Sequence, residues 1–409
     1  MARFVNIDRE TGLLLPPDLR DWVQRDDVVH LVIEAVEQMD FSRVQVNERG
    51  TGSEQFPPSM MLALLIYCYA QGIYSSRRME QASYTHVGVR YLTGDTHPDH
   101  DTIATFRRTN LALLRQAFTE VLQLARQLGV LRVGTVFLDG TKIKANASAR
   151  ANRREQELRA ELAAIDAEVV ARMQAAQQAE ETEVAEQLPT ELTDPRTRKA
   201  KLAAARAALR QRAKEQERPP EDKDLGNTTD PESRRHHTHH GSIQGYNAQI
   251  AATENKLIVA AHVCTDNQDR RQLVPTLEQV VAQGETPQVV VADTGYDNHA
   301  QITAVEQTLG ATVYIPPQPP FEVHNRQTRK RAQCSLERAQ RLERVRTELG
   351  QQLLRRRSTT VEPIFGIIKC ARGFNRFLLR GRAAVDAEWA LVCTAFNLRR
   401  LHRLLTPCA

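Results

Sequence analysis

Three acidic residues stand where carboxylates can do chemistry. Asp139 falls inside the β-branched, alternating run 135–144 (TVFLDGTKIK), next to Val136 and Leu138. Asp293 directly follows the apolar run Val289-Val290-Val291-Ala292, and Glu362 lies in a helical stretch beside Val361, Ile364 and Phe365. An acid on an apolar strand is costly if it is buried without compensation. In an open sheet, however, residues at strand ends converge on one edge. Carboxylates gathered there, with a third from an adjacent helix, bind hard divalent cations through oxygen. Two Mg²⁺ ions about 3.5–4 Å apart would activate a water or a 3′-hydroxyl and stabilise the leaving oxygen of a phosphodiester. Taken singly, each acid reads more simply as a cap, a turn residue or half of a salt bridge. It is their shared strand order that points to a site.

The elements that must position them follow from periodicity. The strand at 135–144 is succeeded by strand signals at 245–253 and 257–264, with Glu254-Asn255-Lys256 as a tight turn. A helix over 270–283, a buried strand at 288–297, a helix over 299–309 and a strand in ATVYIPP complete a mixed sheet with helical cover. Helices return over 326–357, 361–371 and 383–405. The sheet is interrupted after its first strand. Leu158, Leu162, Ile165, Val169 and Met173 form a seam at helical spacing, and Leu202, Ala205 and Leu209 form a second. These arms predict a protruding antiparallel helical hairpin, followed by a polar linker over 219–240. Residues 1 to about 130 read as helical. Asp18 caps a helix running from Leu19 through Val32, Pro57-Pro58 opens another that ends near Gly72, and a third spans 111–128. The expected organisation is an all-α N-terminal domain (1–130) and an α/β domain (131–409) with a helical insertion at about 150–240.

Composition narrows the function. The chain has 409 residues, 41% hydrophobic and 26% charged, enough apolar residues for a sizeable core and too many charges for a membrane protein. Its longest apolar run, Met60 to Ala70, is about half a membrane span. The N-terminus lacks a basic-then-apolar leader, and the six scattered cysteines form no C-x-x-C pair, which together predict a cytoplasmic protein with reduced thiols. The net charge of +5 is unevenly spread: residues 326–409 hold 19 Lys+Arg against 6 Asp+Glu, or +13, leaving −8 for the rest. Such asymmetry suggests a polyanion at the C-terminal part, although a solvated basic helix face has the same composition. Short N-terminal helices with Arg77, Arg78, Arg107 and Arg108 are compatible with a DNA-binding helical module.

Other candidates carry less. His236, His237, His239 and His240 lack a spaced partner pair and read as a basic loop before a metal site. Asp99 reads as a helix cap between His97 and His100, and Asp297 and Asn298 as a turn or cap. Tyr246 and Asn247 either line the active edge or pack inside. Asp266 and Asp269, near another strand end, rival Asp293.

Four ordered motifs make the resemblance specific: DGTKIKANAS (139–148), DPESRRHHTHHGSIQGYNAQIA (230–251), DTGYDN (293–298) and VEPIFGIIKCARGFNRFLLRG (361–381), with AEWALVCTAFNLRRL (387–401) and PDHDTIATFRR (98–108) in support. The chain resembles the bacterial insertion-sequence DDE transposases, of the branch numbered eleven eighty-two. The likeness covers most of the chain apart from the hairpin. It implies an RNase H-like catalytic domain and a metal-binding triad of Asp139, Asp293 and Glu362 with two Mg²⁺ ions, for which Mn²⁺ can substitute. Lys369, separated from Glu362 by six intervening residues, matches the family's Glu-to-Lys spacing and would touch a phosphate near the cut. Arg357 lies near where relatives carry an arginine that contacts the transposon end, with Leu354 in place of the tyrosine expected upstream. Arg355, Arg356 and Arg372 join the DNA-binding set. The implied partners are double-stranded DNA, as terminal inverted repeats and target, and further copies of the chain assembled on it. The alternatives are a DNA-binding relic or regulator and a generic nuclease on the same fold.

Overall fold

A computed structural model describes residues 18–42, 44, 55–180, 193–238, 241–318 and 336–406. The N-terminal helices are α1 (Leu19–Trp22), α2 (Val28–Glu37), α3 (Pro58–Ala70), α4 (Ser76–Thr85), α5 (Val87–Leu92), α6 (His100–Thr109) and α7 (Leu111–Gln127). The single helix expected from Leu19 through Val32 is two. Asp27 accepts a hydrogen bond from Val29 N and caps α2, so the chain restarts there. Asp18 and Asp99 cap α1 and α6 as expected, and Gly72, at φ +79°, lets the chain turn away after α3. Residues Met61 to Ala70 of α3 are all buried, so this helix is enclosed on every side instead of showing one apolar stripe.

The sheet contains β1 (Thr135–Lys144), then, beyond the insertion, β4 (Arg234–Thr238), β5 (Gly241–Thr253), β6 (Ile258–Cys264), β7 (Val289–Val291) and β8 (Thr312–Tyr314). Its order is β4-β5-β1-β7-β8, with β6 also paired to β5. The β1–β5 and β5–β6 pairs are antiparallel, whereas β1–β7 and β7–β8 are parallel. Four strands in antiparallel pairing (β4, β6, β5 and β1) followed by two that run parallel to β1 make this an α/β, RNase H-like mixed sheet. The insertion holds β2 (Asn152–Arg154), helices α8 (Glu155–Glu180) and α9 (Thr193–Glu215), and β3 (Leu225–Asn227), which pairs with β2 at the base. Leu158, Ile165, Leu202, Ala205 and Leu209 form a small core separate from the main one. Arg206 pairs with Glu155 and Arg198 with Glu161, which fixes the two helices antiparallel.

Residues 219–240, expected as linker, contain two strands. β4 forms from Arg-Arg-His-His-Thr because it lies at the sheet edge, where backbone pairing to β5 tolerates polar side chains. His236 is buried there with Nε2 against Gly245 O (3.1 Å), and burial pushes its pKa down to about 4. The histidine cluster gathers no metal site among the described residues, and His239 and His240 lie outside them.

The remaining helices are α10 (Leu273–Ala282), α11 (His299–Leu309), α12 (Leu336–Arg346), α13 (Glu348–Gly366) and α14 (Arg382–Leu405). The basic stretch 326–335 falls outside the described residues. α14 packs on β6 with one face and on α3 and α7 with others, so N-terminal helices and sheet share one hydrophobic core. Polar stitches fix it: Trp389 Nε1 donates to Gln249 O (3.0 Å), and the Asn397 amide bonds both Ile258 N and Ile258 O.

The same helix buries a charge. Glu388, fully enclosed, accepts from Tyr69 Oη (2.8 Å) and from Leu378 N and Leu379 N (2.9 Å each). Arg107 donates to Tyr69 Oη (3.0 Å) and Tyr74 O (2.8 Å) and is 5% exposed. Arg107 is therefore not available to hold DNA phosphate: its charge answers Glu388 inside the protein. Arg77, Arg78 and Arg108 are exposed. No helix among the described residues is long and apolar enough to cross a membrane.

Candidate active site

Strand register explains why two of the acids meet. β1 and β7 run parallel with Phe137 opposite Val291. Asp139 and Asp293 each lie two residues further along, so both carboxylates leave neighbouring strands at the same level. β7 ends at Val291, and Asp293 caps the turn that follows, with Oδ1 accepting from Gly295 N (2.8 Å). Asp139 Oδ1 accepts from Gly140 N (2.8 Å).

Arg357, projecting from α13, lies between them. One nitrogen, Nη2, is 3.3 Å from Asp139 Oδ1 and 3.3 Å from Asp293 Oδ2. The guanidinium is buried and its Nε has no partner among the described residues. One positive charge thus serves two carboxylates. Burial raises the Asp139 pKa to about 6 against the pull of Arg357, with Asp293 and Asp269 adding to the rise. Asp293 is raised for the same reasons, burial foremost.

Asp269 is the residue that strand spacing alone does not assign. Its Oδ1 accepts from Asn247 Nδ2 and Gln249 Nε2 (2.7 Å each) on β5 and faces Lys142 Nζ at 3.4 Å. A Cβ at Gly140 would come within 2.8 Å of Asp269 Oδ1 and 2.2 Å of Gln249 Nε2, so a larger residue beside Asp139 would displace these two side chains from their present places. A glycine inside a strand is a mark of such close approach, and it was the available signal. Asn247 thus faces the site, while Tyr246 is buried with its hydroxyl on Asp230 (2.8 Å). Asp266 instead accepts from Gln272 and lies 3.7 Å from Arg234. Asp297 pairs with Arg341 (3.0 Å), and Asn298 caps α11.

Glu362 is exposed on α13. No three acids, histidines or cysteines among the described residues form a cluster able to hold a metal. Lys369 does reach the site: its Nζ donates to Thr141 Oγ1 (3.0 Å), two residues beyond Asp139. It does so from a π-helical turn (Ile367–Ala371) that continues α13, which carries Pro363 in its last turns. Burial lowers the Lys369 pKa. Arg355 and Arg356 are exposed, with Arg356 paired to Glu254 (3.0 Å), and Arg372 is half-buried elsewhere.

Residues 17–109 match the family described as a Transposase domain (DUF772), and residues 210–398 match the family described as a Transposase DDE domain. The chain belongs to the insertion-sequence DDE transposases. The second match contains Asp269, Asp293 and Glu362, with Asp139 upstream of it. No curated protein and no solved structure matches the transposase. DDE transposases act on DNA and use divalent metal ions in general. The residues present suit such an ion. Asp139 and Asp293 offer hard oxygen donors, they converge on one cationic group, and burial raises the proton affinity of both, so a bound cation would favour their charged forms.

Proposed function

We propose that this transposase binds the terminal inverted repeats of its own element and cuts and rejoins DNA at Asp139, Asp293 and Glu362. The observation that carries the reading is the convergence of Asp139 and Asp293 on Arg357 Nη2, at 3.3 Å from each. The three acids would hold two Mg²⁺ ions, or Mn²⁺ in their place, which supply activation of a hydroxyl nucleophile and stabilisation of the leaving oxygen. The other groups are the protein's own. Lys369, held by Thr141, places an ammonium beside Asp139, where it can contact a non-bridging phosphate oxygen. Arg357 screens the two aspartates from each other and is the nearest guanidinium for a phosphate brought to them. Asp269, fixed by Asn247 and Gln249, holds Lys142 at the floor of the site.

The N-terminal helices and the catalytic region act as two functional domains, divided near residue 130, with the hairpin as an insertion into the second. The assignment to the branch numbered eleven eighty-two rests on the motif resemblance, as does assembly of two or more copies on paired ends. Exposed Arg77, Arg78, Arg108, Arg355 and Arg356 are the candidates for backbone contacts.

A Mn²⁺ titration followed by electron paramagnetic resonance tests the site without requiring turnover. The wild type should bind the ion, and Asp293→Asn should weaken binding by at least about tenfold. Equal binding by the wild type and an Asp139→Asn/Asp293→Asn double variant would move the metal site elsewhere.

A further inference from the structure

A cleft of about 360 Å³ opens between the end of α3, the end of α13 with its π-helical turn, and α14. Lys256, Arg372, Arg399, Arg400 and Arg403 line it, and no carboxylate does. Its floor is apolar, with Ile364, Ile367 and Phe396.

The arrangement of the cations is fixed without being neutralised. Arg399 Nη1 donates to Ala70 O (3.2 Å) and Arg400 Nε to Asn255 O (2.8 Å). A carbonyl aims a guanidinium but leaves its full charge in place. Lys256 is presented by the β5–β6 turn at φ +64°, a conformation that few non-glycine residues adopt. Burial pushes the Arg372 pKa down to about 10, and Arg399 and Arg403 add to the fall. Five like charges in one cleft repel unless an anion joins them.

Position identifies the anion. Pro363 and Ile367 form one wall of the cleft, and Pro363 directly follows Glu362. At about 1.5 Å per residue along a helix, these wall residues lie about 9–15 Å from Arg357. That span corresponds to about three to four base pairs at 3.4 Å per step. We infer that the cleft is a second backbone site of the transposase, gripping duplex DNA about three to four base pairs from the scissile phosphate. The inference rests on the catalytic reading above for the location of that phosphate, and on the cleft's own charge for the rest.

The test is equilibrium binding of a duplex carrying the element's end, across a range of salt and without divalent ions. Removing two phosphate contacts should lower the salt slope by about 2 and weaken binding about tenfold near physiological salt. Arg372→Gln/Arg403→Gln is the variant of choice, because the two cations anchored on carbonyls stay in place. The Arg372→Lys/Arg403→Lys variant should keep the wild-type slope. A folded Gln variant with unchanged slope and affinity overturns the proposal, even if only its oligomeric state changes. A second measurement needs no variant: one neutral methylphosphonate, moved along the duplex, should weaken wild-type binding three or four steps from the cut. No weakening there overturns the assignment. Cleavage in Mg²⁺ is scored separately. A reduced slope with no cleavage by the wild type upholds the cleft and removes the catalytic reading, whereas cleavage with an unchanged slope does the reverse.

Discussion

Asp139→Asn should lose DNA cleavage by about a thousandfold or more and yet melt at a higher temperature than the wild type. The loss follows from the role proposed for the carboxylate: about 4 kcal/mol of transition-state stabilisation is three orders of magnitude in rate. The gain follows from its environment. The Asp139 pKa rises from 3.8 in the unfolded chain to about 6 in the fold, so ionising it opposes folding. That cost is fully present above pH 6 and absent below about pH 4. In chelator at pH 7–8 the Asn variant should therefore gain as much as about 3 kcal/mol, or about 3 °C in melting temperature. The gain is reduced to the extent that Arg357 needs two partners. It should vanish near pH 4. A variant that is inactive because it is unfolded, or one that melts lower at every pH, contradicts this account of the site. In its proposed role, a carboxylate that destabilises its own fold would be an instance of stability being given up for function.

The second large effect lies far from the chemistry. Arg107→Ala should destabilise the transposase by about 3–5 kcal/mol, because Glu388 would remain fully buried with its charge unanswered. The loss reaches the sheet through α14, which carries Glu388, Trp389 and Asn397 on one helix. Denaturant unfolding measures it. In the Arg107→Ala/Glu388→Gln double variant both charges are gone, and the total cost should fall well below the sum of the two single costs. A cost for Arg107→Ala under about 1 kcal/mol would mean that the Glu388 charge is met by the backbone donors alone.

How much of this was legible in the sequence depended on whether a feature is local. β1, α3, α7 and α11 could be read nearly to the residue, since periodicity, Pro57-Pro58 and Gly72 are written along the chain. Asp139, inside a strand, and Asp293, just past one, were legible because each follows an apolar run, and parallel register then brings them level. β4 was not legible, because an edge strand of Arg and His has no apolar alternation and exists only through its pairing with β5. Charge partners were the least accessible. Arg107 reads as a surface cation next to Arg108, yet its partners are Tyr69 and Tyr74, over thirty positions away, and Glu388 beyond them. Arg357 reads as a DNA contact, and only folding turns it onto two carboxylates. Asp269 needed Gly140, Asn247 and Gln249 to define its place. The cationic cleft is assembled from four separate stretches and has no signature in any one of them.

The central claim is that this transposase joins DNA through Asp139, Asp293 and Glu362, and one assay addresses it most directly. Purified protein is given Mg²⁺ and duplexes carrying the element's own flanking ends, with Glu362→Gln alongside, and joined products are counted. Glu362 is the informative member because it stands exposed and comes from a helix, α13, while the two aspartates come from the sheet. Strand-transfer products from the wild type, lost in the Glu362→Gln protein while end binding persists, are the predicted result. Equal joining by both proteins would contradict the triad, and binding without cutting by either would make the chain a DNA-binding relic.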